Sequence, residues 1–163
     1  MAALAANRNT QEDTGKRFVY PLADNVIVYL GSIVVLDASG NAKPGVVATG
    51  LKAVGVAAQG YQGSFGNSGF GPLSPGNSID NTGVGHAAGA MSVECRRGTW
   101  KFDNYGTDPV VAGDIGNVCF IYDDHTVSHS DGGATQSVAG RVEQIDSDGG
   151  IWVNFEKQSA AAS

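Results

Sequence analysis

Two stretches of this 163-residue chain follow the same order of residue types. Gly31-Ser-Ile-Val-Val-Leu-Asp37, then Ala53-Val-Gly-Val56, is echoed by Gly116-Asn-Val-Cys-Phe-Ile-Tyr-Asp123, then Val138-Ala-Gly-Arg-Val142. Each copy leads from a glycine into four or five β-formers, turns at an aspartate and returns through a second short run with a central glycine. A duplicated β-hairpin unit of this kind points to a small all-β body built from hairpins. Glycine supports this: 24 residues, far above an average share of roughly 7%, suit a chain of short strands and many turns.

Around the repeat the chain divides simply. Residues 18–157 read as a single β domain, long enough for a sizeable core, between an extended N-terminal arm at 1–17 and a C-terminal tail at 158–163. The arm is Ala-rich and then polar, without a sustained period, and carries too little apolar surface to order itself alone. Phe18–Pro21 and Val26–Tyr29 read as short strands. The Ile33–Leu36 run does not alternate, so both its faces need cover, either from the body or from a neighbouring subunit. That makes Val34 a subunit-interface candidate. Gly60–Gly85, with eight glycines, Pro72 and Pro75, reads as a long loop insertion. Its Tyr61, Phe65 and Phe70 either belong to a floppy insertion or dock on a neighbour.

The later strands alternate more clearly. Met91, Val93 and Cys95 share one face, opposite Ser92, Glu94 and Arg96. Arg97-Gly98 then reads as the turn of a hairpin that returns with Trp100 and Phe102 inside. Ile151, Val153 and Phe155 point inward, which leaves Trp152 outside as a further interface candidate. Cys95 and Cys119 sit in apolar alternation and read as free, buried thiols.

Charge narrows the partners. The net charge is −6; Met1–Arg17 carries +1 and the remainder −7, which argues against nucleic acid. No apolar run approaches the roughly 20 residues of a membrane span, and the N-terminus lacks the pattern of a secretory signal. The best chemical cluster is Asp123-Asp124-His125 with His129 and Asp131. On a strand, residues four apart lie about 13 Å from each other, too far for one metal, so the cluster reads as a solvated polar turn. His86 has no nucleophile partner, and the glycines from 63 to 71 lack the context of a phosphate cradle. No catalytic residue, cofactor or metal ligand is expected, and the chain reads as a non-enzyme.

Several segments, taken in order, resemble a family. Ala2-Ala-Leu-Ala-Ala-Asn-Arg-Asn-Thr10, Ala48-Thr-Gly-Leu-Lys-Ala-Val-Gly55, Asp80-Asn-Thr-Gly83, Ser92-Val-Glu-Cys-Arg-Arg-Gly98 and Asp114-Ile-Gly-Asn-Val-Cys-Phe-Ile-Tyr-Asp-Asp124 are similar to the small head proteins of tailed bacteriophages, the capsid decoration, cement or minor capsid proteins. The resemblance runs from Met1 to about Phe155; the segment from Gly60 to Ser78 is longer than in that family. It implies a β-barrel or β-tulip body, a homotrimer seated on the exterior of the expanded capsid, the major capsid protein as partner and assembly in the bacterial cytoplasm. It brings no catalytic residue or cofactor. The arm is then the capsid contact, with Leu4, Arg8, Lys16 and Arg17 as its candidate residues. The main rival is a glycan- or receptor-binding β module that stacks sugars on Tyr61, Phe65, Phe70 and Trp152. A metal-dependent hydrolase built on Asp123 to His129 ranks third.

Overall fold

β-Formers bounded by glycine and aspartate set the strand limits seen in the computed structural model, which describes residues 15–63, 68–76 and 78–156. The strands are β1 (Arg17–Pro21), β2 (Val26–Val28), β3 (Ile33–Leu36), β4 (Ala42–Pro44), β5 (Lys52–Gln62), β6 (Gly71–Pro72), β7 (Ile79–Asn81), β8 (Met91–Arg96), β9 (Thr99–Asn104), β10 (Val118–Ile121), β11 (Thr126–Ser128), β12 (Val138–Ile145) and β13 (Ile151–Asn154). A 3-10 turn at Ala112–Asp114 is the one helical element among the described residues. The fold is all-β: a closed five-stranded barrel, β10-β11-β9-β13-β12, accompanied by further antiparallel sheets.

The larger of those sheets has the order β1-β8-β5-β3-β4, with β6 added on β5. A parallel bridge between Leu22 and Ala42 joins its two edges. This is the strand order of the closed barrel, and the likeness extends to single hydrogen bonds. Gly31 N–H donates to Ala57 O and Ala57 N–H to Ser32 O; 85 residues on, Gly116 N–H donates to Val142 O and Val142 N–H to Asn117 O. Val34 pairs with Gly55 as Cys119 pairs with Gly140, and each ladder slips by a residue immediately afterwards. Ala23 N–H to Ala42 O matches Tyr105 N–H to Val127 O, and Arg97 N–H to Lys16 O matches Phe155 N–H to Gly98 O. The repeat legible in the sequence is therefore the centre of a duplicated five-stranded unit. The first unit is β1, β8, β5, β3 and β4; the second is β9, β13, β12, β10 and β11.

The paired glycines have a steric reason. A Cβ at Gly140 would lie 2.6 Å from the carbonyl oxygen of Asn154, and one at Gly55 would strike the carbonyl oxygen of Arg96. At the bulge the third strand closes onto the second, and only a residue without Cβ admits it.

Each unit has its own core. Leu22, Val34, Ala42, Val54, Ala57, Val93 and Cys95 fill the first, and β2 and β7 add Val28 and Ile79. Phe102, Cys119, Ile121, Val127, Ala139, Val142, Ile151 and Val153 fill the second, with Val110 and Phe155 beside them. β3 lies between the two. Val34 faces the first core at 0% exposure, while Ile33 and Val35 face the second. This corrects the expectation for Val34: both faces of the run are covered from within the chain, so Val34 is core and offers no surface to a neighbour.

Two further expectations change. Arg97-Gly98 is not a hairpin turn. Both edges of β8 are taken, by β1 and β5, so the chain crosses there into the second unit and β9 pairs with β11 and β13. Gly60–Gly85 is only partly loop: β5 continues to Gln62, β6 folds back on it, and β7 pairs with β2. Glycine composition hid these strands because their order comes from partners distant in sequence, and Ile79 is the buried anchor that the composition masks.

Candidate interaction surfaces

The root of the N-terminal segment lies on the rim of the first unit. Lys16 is exposed, while Arg17 is the first residue of β1, in register with Arg96. Arg17 forms an ion pair with Glu94 at 3.2 Å, and Arg97 places its guanidinium 4.6 Å above the Phe18 ring. Leu4, Arg8 and Phe65 lie outside the described residues. Tyr61 and Phe70 stack on each other at 4.7 Å, and the Tyr61 hydroxyl donates to Glu94 at 3.2 Å. Burial, and then the Glu94 charge, push the Tyr61 phenol upward from its ordinary value. Glu94 thus holds the Gly-rich insertion and the root of the N-terminal segment with one carboxylate. Sequence reasoning placed Glu94 on the outer face of β8 and gave it no role; no spacing in the sequence announces partners at positions 17 and 61. Trp152 is half-buried, in register with Lys101 and Gln144.

A second surface joins the units. The backbone of the first unit reaches the end of the second where Ile33 N–H donates to Asp124 O at 2.7 Å. Leu51 N–H donates to Ser137 Oγ at 3.0 Å, and the Ser137 hydroxyl donates to Ala48 O at 2.7 Å. A cleft of about 240 Å³ is lined by Gly31, Ala57 and Arg96 of the first unit and by Trp100, Lys101 and Phe102 of the second, among others.

The polar cluster of the second unit is divided by the fold. His125 Nδ1 lies 2.9 Å from Asp124 and 3.2 Å from Asp123, and the hydrogen bond to Asp124 raises the His125 pKa. These three residues are the one group among those described whose ligand atoms converge as a metal set would; here they are engaged with one another on an exposed turn. His129 turns away to Asp114 at 2.9 Å. The Val111 N–H, and then His129, hold the Asp114 carboxyl below its usual range. Asp108 accepts both the N–H and the hydroxyl of Ser130, at 2.8 and 2.6 Å. Asp131 accepts the Gly133 N–H at 3.1 Å within its own loop. This network fastens the β9–β10 connection to the loop after β11, which is a structural task. Cys95 and Cys119 are free and buried; desolvation raises both thiols, Cys119 to about 12.

No family model, curated protein or solved structure matches this chain.

Charge adds the last feature. Residues 15–98 carry six Lys and Arg against four Asp and Glu, net +2; residues 99–156 carry two against ten, net −8. The two copies of one unit have opposite electrostatic character, and the cationic one bears the N-terminal segment.

Proposed function

We propose that this chain is a virion structural protein that decorates the outer surface of an expanded phage capsid and stabilises the head. The segment before Gly15, with Lys16 and Arg17 at its root, contacts the major capsid protein, and the chain acts as a homotrimer without catalytic chemistry. The observation that carries the reading is the charge division, with the N-terminal segment rooted on the cationic unit and the acidic unit at the other end of the chain. A surface layer needs one side that binds and one that repels its surroundings, and a strongly acidic outer side keeps particles dispersed. Binding only the expanded lattice stabilises it by mass action. Several linked N-terminal segments raise avidity by roughly 10² to 10⁴ without a new type of contact. The glycan alternative would have to use the remaining faces of Tyr61 and Phe70, since one face of each is taken by their mutual stacking.

The test is co-sedimentation with expanded, undecorated capsids, comparing the full chain with a truncation that starts at Phe18. The full chain should pellet to saturation and the truncation should stay in solution. Failure of the folded full chain to pellet would remove the reading.

A further inference from the structure

The duplicated units differ most in what covers one matching face. On the first unit, Ile33, Val35, Ala53 and Val56 point away from its own core and are buried in the hydrophobic cluster of the second unit. On the second unit, the same pairing positions are held by Val118, Phe120, Val138 and Arg141, which are only half-buried. The receiving end has a counterpart too. Ile121, Asp124 and Ser137 receive the first unit; Leu36, Ser39 and Lys52 occupy those positions in the first unit, where Leu36 is half-buried and the other two are exposed. Each chain therefore makes the contact once internally and retains an unused half of it at either end.

We propose that a second copy of the chain places its Val118, Phe120 and Val138 face on the Leu36 end of the first unit, repeating between molecules the contact that joins the two units within one. Charge favours this occupant, because the contact brings a unit of net −8 against one of net +2. The contact is head-to-tail, so it closes into a ring or extends as a chain of molecules, and it is not a two-fold dimer. Thr99, which stands where Arg17 stands, stays exposed beside the internal contact, so docking leaves Lys16 and Arg17 uncovered. The inference rests on the duplicated fold and not on the capsid reading.

The experiment is sedimentation velocity on the full-length chain and two variants, Phe120→Glu on the face and Leu36→Glu on the end, with circular dichroism confirming that each is folded. If Leu36→Glu does not fold, Ala38→Glu, exposed on the same turn, replaces it. The wild-type chain should sediment as an oligomer and each variant as a monomer. Mixing the variants should restore one contact and give a heterodimer and nothing larger, since one retains the end and the other the face. A monomeric wild-type chain, an oligomer that survives either substitution, or a mixture that stays monomeric would overturn the proposal. Capsid co-sedimentation of the Phe120→Glu monomer separates this outcome from the capsid reading: retained but weaker pelleting, with the oligomer lost, leaves both standing.

Discussion

The first and second units share strand order, bulges and individual interstrand hydrogen bonds, yet they have been put to different uses. The second is a closed barrel in which β12 turns tightly into β13 through Asp146–Gly150, closed by Asp146 N–H to Gly150 O at 2.8 Å. The matching connection of the first unit, from β5 to β8, has grown into the Gly-rich insertion with β6 and β7. The first unit closes through the short parallel contact of Leu22 and Ala23 with Ala42 and leaves its Leu36 end half-covered, whereas the first unit itself seals the same end of the second. One backbone plan thus carries a short β12–β13 turn in one copy and a long insertion at the matching place in the other. The difference arises from what covers each unit, since their internal pairing is common.

The comparison is sharpened most by truncating matched positions. Ile121→Ala should cost roughly 2–5 kcal/mol, because the site is sealed by the first unit and cannot relax into solvent. Leu36→Ala, its half-buried counterpart, should cost under about 2 kcal/mol in the monomer. Equal losses in urea titrations of the two variants would mean that the ends are covered alike. The paired glycines come next. Gly140→Ala and Gly55→Ala should each destabilise by about 1–3 kcal/mol, because the obstructing atoms are backbone of the adjoining strand. Gly55 should suffer more, since its φ of 135° adds strain that a side chain rarely tolerates.

Asp114 tests what closes the far end of the second unit. Asp114→Asn should cost about 1–2 kcal/mol at neutral pH. Its native pKa is depressed, so the stability it supplies is complete above the ordinary carboxylate value of about 3.9 and is lost as pH falls through the native value. The gap between wild type and Asp114→Asn should therefore shrink below that pH, and a gap constant from pH 7 to pH 2 would contradict the role. The thiols report on each unit separately. Cys95 lies in the first core and Cys119 in the second, so labelling with a thiol reagent, read by peptide mass, should modify Cys95 roughly tenfold faster under native conditions. Faster labelling of Cys119 would mean that the second unit opens more readily than the first. The smallest effect belongs to His125. Its raised native pKa means that its stabilising contribution is present below about 6.5 and fades as pH rises through the native value. His125→Gln should lower the melting temperature slightly at pH 5.5 and leave it unchanged at pH 9.

Much of the scaffold was legible in advance, and particular residues show why. Alternation at Met91, Val93 and Cys95, and at Ile151, Val153 and Phe155, identified inward faces correctly because a half-buried strand imposes a period of two. The glycine-bounded repeat was visible because Gly55 and Gly140 answer to backbone atoms of a neighbouring strand, a demand that no other residue meets. The Arg97-Gly98 crossing looks like a hairpin in the sequence because local turn chemistry is the same whether the chain returns to its own sheet or leaves it. Val34 stands as an interface candidate in the sequence because an unalternating run signals two covers without naming either. The candidate surfaces were less legible: the Glu94 link to Arg17 and Tyr61 joins positions separated by 77 and 33 residues.

The sequence by itself determined that this protein is all-β, where its strands alternate, where a unit is repeated, and that its second half is far more acidic than its first. These are properties of local pattern and composition, set within a few residues of each position. Only the tertiary structure decided that the repeat spans two whole five-stranded units, that β3 is shared between two cores, and that one face is sealed in the first unit while its twin in the second is left half-open. Those outcomes depend on which distant strands take each edge and face, and burial is a property of the assembled surface rather than of the segment that supplies it.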